Sequence, residues 1–98
     1  MTVNDLAKKV RSKNAGPFWV TIDVFCDTLE AYQTLLQRLD TAKVAGLFAC
    51  SANQMKRFDI DDLRVIKFSL PRPVVQGSRR DRDMHGAQWA ELLAEMII

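Results

Sequence analysis

The chain reads as stretches of period two and period 3.6 separated by short polar breaks. Over 18–26, Phe18, Val20, Ile22, Val24 and Cys26 fall on one side and Trp19, Thr21, Asp23 and Phe25 on the other, which is the alternation of a β-strand. The second side mixes two aromatics with a hydroxyl and a carboxylate, so it is expected to be half covered rather than simply wet. Asp27 and Glu30 have capping-box spacing, and Leu29, Tyr32, Leu36 and Leu39 then recur at helical intervals, predicting a helix over 28–39. Thr41 is placed to cap a second, shorter helix with Val44, Leu47 and Phe48 on one face, ended by the polar run 51–54. Arg64, Ile66, Phe68 and Leu70 alternate with Leu63, Val65, Lys67 and Ser69, a strand over 63–70 stopped by Pro71. Within 87–98, Trp89, Leu92, Leu93, Met96 and Ile97 fall on one helical stripe, with Asp83 upstream as N-cap.

Residues 5–11 fit either period, since Leu6 and Val10 suit a helix by i+4 and a strand by i+2 steps through Lys8. The reading preferred is a strand, hairpinned to 18–26 through a polar loop over 12–17. Strands and helices interleaved in 98 residues suit one domain with helices packed on one face of an antiparallel sheet. The fold expected is α+β, a small two-layer ferredoxin-like sandwich.

Composition narrows the functional classes. Fourteen Lys and Arg against 12 Asp and Glu leave a formal charge of +2, too little for a general nucleic-acid binder, so any basic site must be local. Cys26 and Cys50 have no CxxC spacing and are too few for a disulfide framework or a zinc site, so free thiols are expected. Residues 1–11 hold no uninterrupted apolar stretch, and no run approaches the ~20 residues needed to cross a bilayer; no membrane role and a cytoplasmic location are expected. Ala90, Ala94 and Ile98 widen the apolar stripe of the last helix beyond what a thin domain buries. Part of it, or the Trp19/Phe25 side of the sheet, is therefore expected to contact another subunit in an oligomer.

The chemistry-bearing residues concentrate in two polar segments. Arg11, Ser12, Lys13, Asn14 and Gly16 place two cations, a hydroxyl, an amide and a glycine between apolar stretches. Such a segment is either a solvated hairpin with Gly16 chosen for its backbone angle, or a loop that offers donors to an anion. The second runs from Pro71 through Arg72, Ser78, Arg79, Arg80 and Arg82 into the last helix, whose N-terminal dipole favours anions over cations. A solvated charge run balanced by Asp81 and Asp83 accounts for it, and so does an anionic ligand gripped by arginine. Asp23, centred in an apolar strand, either faces water or pairs with a cation such as Lys13 or an arginine of the second segment. His85 is the only histidine and sits where a first-turn helix residue belongs. No nucleophile elbow, metal-ligand spacing or cofactor motif is present, so no metal or cofactor is expected and no catalytic residue is singled out. If the two segments meet at one end of the sheet, Lys13 and Asn14 face Arg72 and Arg79, with the N–H groups of the last helix aimed at the same spot; that requires strands 18–26 and 63–70 to be antiparallel neighbours.

The run Arg11-Ser12-Lys13-Asn14-Ala15-Gly16-Pro17-Phe18, followed by Thr21 and Asp23, resembles an uncharacterised family of small bacterial proteins that occur alone or fused to proteins resembling AtuA, the acyclic terpene utilisation protein. Ile66-Lys67, Pro71-Arg72-Pro73, Gly77-Ser78, Asp81, Asp83 and Gly86-Ala87-Gln88 extend the resemblance over nearly the whole chain. The first strand, the glycine-containing loop and the closing helix also resemble the small ferredoxin-like domain at the C-terminus of AtuA-type proteins. The resemblance implies association with an AtuA-like large subunit in the breakdown of branched or unsaturated carboxylic acids or their CoA esters, with a hydro-lyase as the reaction class. It also implies a loop-built site for a carboxylate or CoA-ester ligand using Arg11, Ser12, Lys13, Asn14, Gly16, Asp23, Arg72, Ser78 and Arg79. The alternative is a non-catalytic module whose arginines only dock a larger enzyme.

Overall fold

In a computed structural model, described over residues 1–48, 50–51, 53–71 and 88–98, the alternation around Val20, Ile22 and Val24 becomes one of the two inner strands of a four-stranded antiparallel sheet. The elements are α1 (Val3–Leu6), β1 (Lys9–Asn14), β2 (Trp19–Phe25), α2 (Leu29–Arg38), α3 (Thr41–Leu47), β3 (Lys56–Ile60), β4 (Val65–Pro71) and α4 (Gln88–Ala94). Strand order is β1-β2-β4-β3, so two hairpins, separated in the chain by a pair of helices, join through β2 and β4. The architecture is the expected two-layer α+β sandwich of the ferredoxin-like kind.

One sheet face carries the core. Val20, Ile22 and Val24 of β2 and Ile66, Phe68 and Leu70 of β4 are buried with Tyr32, Leu35 and Leu39 of the α2 region, Val44 and Ala45 of α3, and Leu93 of α4. These twelve positions come from both periods, because the inward sides of strand and helix close on each other.

Several boundaries depart from the sequence reading. Residues 12–14 are not loop and residues 5–6 are not strand: α1 takes Val3–Leu6, β1 runs through Asn14, and the hairpin closes over 16–18 with Ala15 N–H donating to the Trp19 carbonyl at 2.9 Å. A polar strand is stable here because β1 is an edge, where one row of side chains stays wet. Thr28, not Asp27, caps α2, its Oγ1 accepting from Ala31 N–H at 3.1 Å, while Asp27 pairs with Lys8 at 3.3 Å. Asp40, not Thr41, caps α3 through Ala42 N–H at 3.0 Å. The buried stripes also turn by one position: Leu35 goes in and Leu29 stays out on α2, and Ala45 goes in while Leu47 is exposed on α3.

β3 was not foreseen, because Lys56, Arg57 and Asp59 hide its alternation. Asp61–Leu63 is a 3-10 turn rather than the start of β4, and Arg64 then takes a left-handed conformation (φ 53°). α4 is shorter than 87–98 and stops at Ala94. Leu93 is buried and Trp89 packs its ring 5.0 Å from that of Phe48, but Leu92 and Ile97 are exposed. Beyond α4 the chain pairs back on its own beginning, with a Thr2–Ile97 bridge and Val3 N–H donating to the Met96 carbonyl at 3.0 Å. Both cysteines are free, Cys26 buried and Cys50 half-buried. No helix among the described residues is long and apolar enough to cross a membrane.

Candidate functional site

Register fixes what the other sheet face displays, because directly opposed residues in an antiparallel pair project from the same side. One row across the strands β1, β2, β4 and β3 is Lys9, Phe25, Val65 and Ile60; the next is Arg11, Asp23, Lys67 and Phe58; the third is Lys13, Thr21, Ser69 and Lys56. Trp19 and Pro71 close the grid at the end of β2 and β4. Among the described strand residues, Lys9, Arg11, Lys13, Lys56 and Lys67 thus share this face with a single carboxylate, Asp23. Half of the ten described lysines and arginines, five of them, fall on this one face.

Four of the residues singled out from the sequence meet here. Arg11, Ser12, Lys13 and Asp23, with Phe25, line a recess of about 200 Å³. Asp23 is half-buried and stands in register between Arg11 and Lys67. Among the described residues the ion pairs are Lys8 with Asp27 and Arg57 with Asp59, so Asp23 closes onto neither neighbour. Asp23 is thus partly exposed with Arg11 and Lys67 beside it in register, it does not pair with Lys13, and the arginines of the second segment lie outside the described residues.

Ser12 has a second commitment. Its side chain leaves β1 on the helix side, where Oγ accepts the backbone N–H of Ala90 at 2.9 Å. That N–H is one of the unsatisfied donors of the first turn of α4, so a residue 78 positions away performs the task of a local cap. The expectation that the α4 amides aim at a ligand is corrected for this amide. Ser12 also borders a second groove of about 350 Å³ with Asn4, Val10, Arg11, Ala90, Glu91 and Ala94.

Asn14 falls on the Ser12 side of β1, opposite Val20, and therefore away from Lys13. Gly16 has φ +79° with nothing within 4 Å of an added Cβ, so the turn selects glycine for its backbone angle and not for space. β2 and β4 are antiparallel neighbours, with Trp19 opposite Pro71, which is the pairing that brings the start of one beside the end of the other. Arg72, Ser78, Arg79, Asp83 and His85 lie outside the described residues.

Sequence reasoning passed over Thr21, Lys56, Lys67 and Ser69 as site residues, since only the register places them beside Arg11 and Lys13. Thr21 is 7% exposed, and its Oγ1 is buried without a hydrogen-bond partner. Leaving a buried hydroxyl unpaired costs about 1–3 kcal/mol. Arg57 was likewise passed over and is structural: its guanidinium donates to the carbonyls of Leu39 and Leu36 at the end of α2, pairs with Asp59 at 2.9 Å, and stacks 5.7 Å over Phe68. No group of His, Cys, Asp and Glu among the described residues could hold a metal ion.

Residues 3–96 match the family described as "Domain of unknown function (DUF4387)", and the chain belongs to it. Comparison with curated proteins and with solved structures gives no match.

Proposed function

We propose that the chain is a small anion-holding subunit that completes a carboxylate or acyl-CoA site on a larger, AtuA-like protein, in hydro-lyase chemistry on branched or unsaturated acids. The observation that carries this is the recess lined by Arg11, Lys13 and Asp23, on the sheet face opposite the described core. Arginine offers a fork of donors to a carboxylate or phosphate, and the adjacent lysine adds a point charge. At about 200 Å³ the recess is smaller than the usual ligand pocket, so it holds one acidic group rather than a whole substrate, which fits a subunit that supplies only part of a site. The association with an AtuA-like partner comes from the resemblance of the Arg11 to Phe18 block.

The test is copurification with the AtuA-like protein, followed by turnover of unsaturated dicarboxylates and CoA esters by each component alone and mixed. Arg11→Ala with Lys13→Ala should lower turnover of the mixture at least about tenfold while the complex still forms. Unchanged turnover with an intact complex would leave only docking. That second reading has its own support, because Trp19 (39% exposed) and Phe58 (50% exposed) lie on the same face as Arg11, and exposed aromatics and arginine are enriched at protein interfaces.

A further inference from the structure

We propose that the row Lys13, Thr21, Ser69 and Lys56 is a seat for an oxyanion, a carboxylate or phosphate group. The inference deepens the reading above by fixing where the acidic group sits: over the hydroxyl row, next to the Arg11/Asp23 recess.

The row is continuous in register, Lys13 opposite Thr21, Thr21 opposite Ser69, and Ser69 opposite Lys56. Its two inner members are hydroxyls on the central strands and its two outer members are lysines on the edge strands. With strands ~4.8 Å apart, the two lysine Cα atoms stand about 14 Å from each other and about 7 Å from the midpoint between Thr21 and Ser69. The four-carbon stem of lysine covers most of that distance, so both ammonium groups can close over one group held at the midpoint.

Thr21 supplies the independent observation. It is more than nine-tenths buried in the middle of this row, and Oγ1 has no partner. A strand position that needs only packing takes valine at the same volume and avoids an unpaired hydroxyl. A hydroxyl kept here gains its bond when an acceptor arrives. The acceptor must be negative, since lysines flank the row on both sides, and among the described strand residues the one carboxylate of this face, Asp23, stands in register between Arg11 and Lys67 one row away. Neutral or cationic ligands would leave both ammonium groups uncompensated.

The experiment titrates the whole chain with inorganic phosphate and, separately, with a short unsaturated monocarboxylate, following backbone amide shifts at constant ionic strength with chloride as control. The expected result is saturable shifts at 13, 21, 56 and 69, with Thr21→Val and Lys56→Ala each weakening binding by about tenfold. Thr21→Val should be as stable as the parent or slightly more so. Preference for phosphate points to the phosphate-bearing handle of a CoA ester, and preference for the carboxylate to the acid itself. Parent-like affinity in Thr21→Val, shifts outside this row, or no saturation by either anion overturns the seat. None of these bears on the copurification assay, so the partner reading can survive the loss of the seat, and the seat can survive the loss of the partner reading.

Discussion

Tyr32 shows how much a single side chain carries in this fold. The residue is 1% exposed, its ring lies in the core, and its hydroxyl donates to Asp61 Oδ1 at 2.7 Å. Burial first, and then the hydrogen bond to Asp61, push its pKa well above the ordinary 10. The folded state therefore keeps its proton where the unfolded chain gives it up. The contribution is fully present below pH 10 and is lost as pH rises through the folded value. Cys26 acts in the same sense from its ordinary value of 9.0, its thiol raised by burial and then by Asp27. Tyr32→Phe should cost about 1 kcal/mol near neutral pH from the lost bond. It should also flatten the decline in stability above pH 10, leaving the thiol portion; urea melts of both proteins between pH 7 and 11 check this. An equally steep decline in the variant would assign the alkaline limit elsewhere.

At the scale of elements, helix caps decide where this chain turns. α4 is a seven-residue helix, too short to be stable alone, and one of its first-turn donors is satisfied from β1 through Ser12 Oγ. Ser12→Ala should destabilise the protein by about 1 kcal/mol. Amide exchange should quicken in 88–94 before it quickens in β2 or β4; equal quickening everywhere would mean the bond does not hold α4 locally. The strand and helix interiors of this layout were legible from period alone, since Val20, Ile22, Val24, Ile66, Phe68 and Leu70 alternate and Tyr32 and Leu39 sit on a helical face. Caps were less legible. Asp27 and Thr28 are both good caps, and the fold chooses Thr28 because its Oγ1 receives the Ala31 N–H while Asp27 is drawn to Lys8. β3 was illegible for a different reason: edge strands admit charge on both sides, and Arg57 spends its charge on the end of α2 where a core residue would be looked for.

At the scale of the molecule, several residues of the basic sheet face were legible in the sequence, but the face itself was not. Arg11, Lys13 and Asp23 could be named from composition and spacing, whereas Lys56, Lys67, Thr21 and Ser69 joined them only through strand order and register, which are long-range choices. Among the described residues the helices pack on one sheet face, and Lys9, Arg11, Lys13, Lys56 and Lys67 stand on the other. The helix side is fastened at the chain ends, where Val3 N–H donates to the Met96 carbonyl and Ile98 N–H to the Met1 carbonyl at 2.9 Å, with Met96 and Ile98 partly buried against the core. Removing 96–98 deletes both bonds and that packing, together about 2 kcal/mol. For a chain of this size that is a fall of roughly 10 °C in the midpoint of melting. The hydroxyl row lies on β1, β2, β4 and β3, none of which pairs with 96–98. Calorimetry of the shortened chain should therefore show the lower midpoint, while its phosphate or carboxylate titration matches that of the parent at a temperature where both are folded. Loss of anion binding in the shortened but folded chain would show that the two faces are coupled, and that the termini hold the sheet in its binding shape.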